Sequence, residues 1–280
     1  MERRFILRGL LVGAIGGILA FVFARIFAEP QIQAAIDYES GREAAQAALD
    51  RAAGLPTETA EHELFSRTIQ ANVGIGAGII LFGAAMGGLY AVAYILACGR
   101  TGRVGARSLA LLVALGGFLG FYLIPFLKYP ANPPAVGHEE TIRARSGLYL
   151  VMILVSIAFL VLAVWLGQRL QARFGTWNAT LLAGLACTAA LGVVMFALPA
   201  LGHLHANVEA YGRHATETPL PLRNAQGQIV YPGFPADLLF KFRLYSVGAQ
   251  AIMWAAMGLC FAPLAERLLK PAATPDPVTV

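Results

Sequence analysis

Residues 147–167 read GLYLVMILVSIAFLVLAVWLG, twenty-one positions without a charged side chain. A helix on a soluble domain needs one apolar stripe, whereas this run is apolar on every side and long enough to cross a bilayer as a helix. It lacks the two-residue alternation of a half-buried strand, and a helix satisfies its own backbone groups in lipid. Working outward, five more such runs follow, giving spans at about 5–28, 69–98, 108–127, 147–167, 179–200 and 246–264. The expected fold is an all-α polytopic membrane protein with six transmembrane helices in three hairpins. A single transmembrane domain over 1–270 precedes a disordered cytoplasmic tail at 271–280. The first run could be mistaken for a signal peptide, and Ile26-Phe27-Ala28 is a tolerable cleavage sequence; its long apolar stretch favours a retained span.

Composition agrees. The chain is 58% hydrophobic and 13% charged, against about 25% charged residues in soluble domains, which leaves too little charge to coat a water-facing globule. Cys98, Cys187 and Cys260 lie inside apolar runs and imply no disulfide framework.

The formal charge of +5 serves orientation before it says anything of partners, and nucleic acid is not among those expected. With the amino terminus cytoplasmic, the inner segments carry nine basic residues against three acidic, and the outer ones ten against thirteen. Both termini are therefore expected in the cytoplasm. The outer loops, at 29–68, 128–146 and 201–245, are also the long ones, so recognition is expected there. Each upward helix ends near a proline, at Pro30, Pro125 and Pro199, which suggests a faint repeat of a two-helix unit.

Small residues four apart, Gly13 with Gly17, Gly74 with Gly78, Gly83 with Gly87 and Gly116 with Gly120, predict that the first three helices form the tight centre of the bundle. These glycines serve packing alone, or they line a substrate path. The fourth span lacks an internal glycine and is expected to face lipid or a partner. Arg8 and Arg25, near the two ends of the first span, can snorkel to an interface. Gln70, Asn72 and Gln250 share one depth beneath the outer loops and form a candidate polar gate.

All five histidines, His62, His138, His203, His205 and His214, fall on the outer side with carboxylates beside them. Imidazole with carboxylate suits first-row divalent metals. The candidate cation ligands are Glu29, Asp37, Glu39, His138, Glu139, His203 and His205. The alternative is solvated loop histidines, His62 for instance paired with Glu58 one turn earlier. There is no P-loop, nucleophile elbow or helical H-E-x-x-H, so no enzyme is expected.

Leu127-Lys128-Tyr129-Pro130-Ala131-Asn132-Pro133-Pro134-Ala135-Val136-Gly137, followed by Thr141-Ile142 and Arg145, resembles the loop of the CbtA family, described as probable cobalt transporter subunits. Glu29-Pro30 with Ala35-Ile36-Asp37-Tyr38-Glu39 resembles that family's first outer loop. Residues 234–243, ending Lys241-Phe242-Arg243, with Ser246, Gln250, Trp254 and Gly258, resemble its last helix. On residue chemistry alone, the four prolines at 125, 130, 133 and 134 forbid helix and hold the loop stiff, with Lys128 and Tyr129 as interface anchors. Such a loop forms a binding site, caps one, or is a turn without a ligand.

The resemblance implies six spans in a bacterial inner membrane, cobalt(II) as substrate with no tightly bound cofactor, and a small single-span partner, CbtB, bearing a histidine cluster. The chain departs from that pattern between Leu201 and Pro232, where the family has a shorter link. The functions that follow are a divalent-metal permease component or, alternatively, a non-transporting scaffold that binds a partner through its outer loops.

Overall fold

The computed structural model describes residues 2–56, 66–102, 104–212 and 217–269. Helix α1 (Glu2–Phe23) passes through a π-helical turn (Ala24–Ala28) into α2 (Glu29–Ala52), and α3 (Arg67–Ile69) passes through a second π turn (Gln70–Gly74) into α4 (Ile75–Ala97). Next, α5 (Ala106–Gly117) continues through a third π turn (Phe118–Leu123) into α6 (Ile124–Lys128). A 3-10 turn (Glu139–Thr141) opens α7 (Ile142–Ala197); another (Leu201–His203) leads to α8 (His205–Tyr211). Strands β1 (Leu222–Arg223) and β2 (Ile229–Tyr231) precede α9 (Ala236–Leu269). Five helical stretches are long and apolar enough to cross a membrane. Residues 57–65 and 213–216, with the proposed His62–Glu58 pair and His214, lie outside the described residues, as does the expected tail at 271–280.

The α7 stretch is two helical arms. Gly175 breaks it at φ +71° and ψ 168°, a conformation open essentially to glycine alone. Cys187 Sγ donates to the Phe159 carbonyl at 3.6 Å, although an unbroken helix would hold residues that far apart in sequence about 42 Å from each other. The arms therefore lie side by side and antiparallel. Only 11% of the most apolar window in this stretch is buried, as expected of a segment that faces lipid or a partner.

The described residues form two compact units. Among them, one draws on residues 2–22, 72–102, 104–118 and 249–269, the other on 23–56, 66–71, 119–212 and 217–248. In the first unit, α1 crosses α4 glycine on glycine. A β-carbon placed on Gly13 would sit 2.8 Å from Gly87 Cα, and one on Gly83 only 2.6 Å from the Gly13 carbonyl oxygen. Beside this crossing Phe5 stacks on Tyr94, and Phe261 meets Tyr90 and Tyr94 edge-on and Phe5 at a tilt. The Tyr90 and Tyr94 hydroxyls donate to the Ala110 and Ala106 carbonyls at 2.8 and 3.3 Å, joining α4 to α5.

Two expectations change here. Gly78 and Gly116 face open space, so the third apolar run does not join the glycine crossing; α5 instead receives α9, with Trp254 over Gly117 and Gly258 against Ala114. The other concerns Arg8, expected only to reach an interface, which also donates to the Leu264 carbonyl at 3.1 Å and so ties α1 to α9. Four-residue spacing identifies a small-residue face without saying which neighbour that face meets.

In the second unit, the expected loop at 29–68 is helical as far as Ala52. Pro30 does not end a helix: it follows the first π turn inside a continuous helical stretch that carries on through it into α2. The rest is alanine-rich, with Gln33–Asp37 and Gln46–Asp50 hydrogen bonds one turn apart, both 2.9 Å. Hydropathy misses this helix because it is water-facing along most of its surface. Its inner face, Ala35 and Tyr38, packs into a core with Val136, Phe234 and Leu239.

Pro125 likewise follows a π turn inside a helical stretch and does not forbid helix. Proline at 125 cannot donate to the carbonyl four residues back, that of Phe121, and the Tyr149 hydroxyl of α7 reaches that oxygen at 3.4 Å. Only Pro199 follows a helix end, that of α7.

The loop expected at 201–245 also carries structure. It holds α8, a two-stranded antiparallel ribbon and the first turns of α9, so the all-α class gains a small β element. Asn224 Oδ1 accepts from the Gln226 and Gln228 amides, and Gly227 supplies the positive φ of the ribbon turn.

Candidate functional site

The proline-rich segment after α6 is held by its first two residues. Lys128 Nζ donates to the Leu198 carbonyl and the Tyr129 hydroxyl to the Pro199 carbonyl, each at 2.9 Å. The end of α7 leaves such carbonyls without helical partners, and a cation there also complements the helix dipole. Tyr129 is buried, so its ring meets protein and not a lipid interface, and the pair clamps protein to protein. Tyr129→Phe is expected to lower stability by about 1 kcal/mol, the worth of one intramolecular hydrogen bond, readable as a lower midpoint of thermal unfolding in detergent.

Past the clamp the chain makes a turn, with the Val136 amide on the Pro133 carbonyl at 3.3 Å, and buries Pro133 and Val136. Ala135 is driven to φ +65° and Gly137 to φ +101°. Gly137 cannot be replaced without moving Arg145, because a β-carbon there would stand 2.5 Å from that guanidinium.

The turn serves one buried carboxylate, Glu217, which is 3% exposed. Its Oε2 accepts from Asn132 Nδ2 at 2.9 Å and pairs with Arg145 Nε at 3.4 Å. Its Oε1 accepts from Asn207 Nδ2 at 2.7 Å and Thr141 Oγ1 at 3.4 Å. Arg243 of α9 donates to Asn132 Oδ1 at 2.8 Å and to the Ala131 carbonyl at 3.2 Å, so Asn132 bridges Arg243 to Glu217. The main chain joins in, with the Gly137 amide on the Glu217 carbonyl at 3.1 Å and the Phe234 amide on the Pro219 carbonyl at 3.2 Å. A buried charge holds its place only when paired and hydrogen-bonded, and here every donor comes from a different turn of chain.

The motif residues Lys128, Tyr129, Pro130, Asn132, Pro133, Pro134 and Arg145 thus belong to one assembly with Arg243. Its centre, Glu217, was not among the sequence candidates, nor was Asn207, and Thr141 entered only as part of the loop motif. The available signal was faint: Glu217 lies just before Pro219-Leu220-Pro221, in the stretch where the chain departs from the family pattern, and nothing local distinguishes it from an exposed loop acid.

The candidate cation ligands are not gathered. Glu29 is buried and ion-paired to Arg67. Asp37 is exposed and accepts from Gln33. His203 is exposed in its 3-10 turn, and His205 lies exposed beside Glu209 at 3.5 Å. Glu39 is half-buried: burial first, then the charge of Glu43, hold its carboxyl above the ordinary value, against a hydrogen bond from the Ala135 backbone and with a smaller push from Glu139. His138 follows Gly137 in the same turn, and its Nδ1 is buried without a hydrogen-bond partner. Among the described residues, no three His, Cys, Asp or Glu side chains come close enough to hold one metal ion. Of the candidate polar gate, Gln70 and Asn72 stand in the second π turn, and Gln250 is half-buried on α9.

Between α6 and the first arm of α7 lies a groove of about 560 Å³, lined by Tyr122, Phe126, Tyr129, Arg145, Tyr149 and Leu150 among others. It is aromatic and apolar along most of its wall, with the Arg145 guanidinium at its polar edge.

A family model described as "Probable cobalt transporter subunit (CbtA)" matches residues 2–266. No curated protein and no solved structure matches the chain.

Proposed function

Because the chain belongs to the CbtA family of probable cobalt transporter subunits, we propose that it is the membrane-embedded subunit of a cobalt(II) uptake transporter, acting with a small single-span, histidine-bearing partner. The match over residues 2–266 carries this reading, and five long apolar helical stretches support a multi-pass membrane protein. The break at Gly175 supports reading its two arms as separate spans, a six-span arrangement with both termini on one side. The positive-inside distribution of charge makes that side the cytoplasm. The long polar segments then lie outside a bacterial inner membrane, and exposed groups on them such as Asp37, His203, His205 and Glu209 face arriving cations. Cobalt is cargo here, and no resident cofactor or catalytic step is assigned.

The test is accumulation of radioactive cobalt by cells with and without the gene over a range of cobalt concentrations. Deletion is expected to lower uptake; equal uptake at every concentration would leave the scaffold reading in its place. Among point variants, Glu39→Gln and His138→Ala are each expected to reduce uptake more than the triple change of His203, His205 and His214 to alanine. The reason is that Glu39 and His138 sit in or against the structured turn, whereas His203 and His205 are exposed. Equal losses from the two sets would contradict the ranking.

A further inference from the structure

We propose that the small cavity beside Lys128 and Arg243 binds a phosphate group. The cavity, about 120 Å³, is walled by Lys128, Asn132, Ala200, Leu201, Glu217 and Arg243, with Pro130 at one edge, and Arg243 feels the charge of Glu217 across it without forming an ion pair. That is room for a few waters or for one tetrahedral oxyanion.

The charge around it does not balance. Lys128, Arg145 and Arg243 are three cations and Glu217 is one carboxylate, an excess of two positive charges. Of the three, only Arg145 forms an ion pair with Glu217; among the described residues neither Lys128 nor Arg243 has a carboxylate within 4.0 Å. Glu217 lines the cavity, but Asn132, Arg145, Asn207 and Thr141 already occupy its two oxygens. The donors, by contrast, are not used up. An ammonium has three N–H groups and Lys128 places one on Leu198; a guanidinium has five, and Arg243 bonds Ala131 and Asn132. A ligand that completes this site brings negative charge and several acceptor oxygens. Phosphate does so, with arginine as its usual fork and lysine as its point charge.

A divalent cation fits poorly here, since two uncompensated positive charges would meet it in a partly desolvated site. The cavity is therefore separate from the path of the cargo, and the inference stands apart from the transport reading. Two sources of phosphate are open. The cavity and the 560 Å³ aromatic groove share Pro130 and Leu201 as walls, so a phospholipid could place its headgroup in the one and an acyl chain along the other. Free phosphate would use the cavity alone.

The experiment uses the full chain, purified in detergent and stripped of lipid, with two probes: inorganic phosphate by equilibrium dialysis and phosphatidylglycerol by native mass spectrometry. One equivalent is expected per chain, with affinity reduced about tenfold or more in both Lys128→Gln and Arg243→Gln and unchanged in Arg223→Gln, on the exposed ribbon. Saturable uptake of inorganic phosphate assigns the free ion. Retention of phosphatidylglycerol alone, weakened by the same variants, assigns the lipid headgroup. Should a glutamine variant fail to fold, Ala200→Leu fills the cavity while keeping both charges, and it too must abolish binding. The proposal is overturned if the wild type binds neither probe saturably, or if binding is indifferent to the cavity substitutions.

Discussion

Glu217→Gln is expected to cost the fold about 3–5 kcal/mol, the usual penalty for removing one partner of a buried ion pair. The glutamine keeps the volume but puts an amide donor where four donors converge, so at least one of Asn132, Asn207, Thr141 and Arg145 loses its acceptor. Arg145 loses its compensating charge as well. The damage should spread, because Asn132 also orients Arg243, and Glu217's own carbonyl holds Gly137. Thermal unfolding in detergent, followed by intrinsic fluorescence, would show a large fall in midpoint. Glu209→Gln, which alters an exposed acid on α8, should leave the midpoint near that of the wild type. If the two variants unfolded alike, Glu217 would not organise the loops as described.

The second large effect belongs to the crossing of α1 and α4. Gly13→Leu is expected to prevent the helices from docking, at a cost of about 3 kcal/mol or more, because the added side chain meets the Gly83 and Gly87 backbones and not a flexible side chain that could turn aside. Gly78→Leu, on the same α4 helix but facing open space, is the matched control and should be tolerated. Yield of monodisperse protein on size exclusion separates the two. Comparable yields would mean that the glycine crossing is not required for assembly.

These two sites differ in how readable they were. Gly13, Gly17, Gly83 and Gly87 announce themselves by spacing, since close approach of backbones demands small residues at a helical repeat. The same rule also picked Gly78 and Gly116, which meet nothing, because periodicity describes one helix and docking involves two. The proline-rich motif was legible as a stiff element, and its lysine, asparagine and arginine do converge. What they converge on was invisible. Glu217 follows Asn132 by 85 residues and Arg243 follows Asn132 by 111, separations over which no local pattern carries information.

Hydropathy by itself determined that this chain lives in a membrane and located its apolar runs, because transfer into lipid depends on each run's own composition and length. It could not see α2 or the ribbon, whose stability comes from alanine propensity and turn chemistry in water. Pro30 and Pro125 were expected at helix ends, yet each follows a π turn inside a continuing helical stretch, where a proline's effect depends on what reaches the carbonyl it leaves bare. Tertiary structure alone decided which charges were already satisfied. Glu29 was a candidate ligand until Arg67 was found on it, and Lys128 was an interface anchor and Arg243 part of the last-helix motif until a cavity lay beside them. Whether a charged group is free to bind anything depends on its neighbours in space, and those are set by packing between segments far apart in the chain.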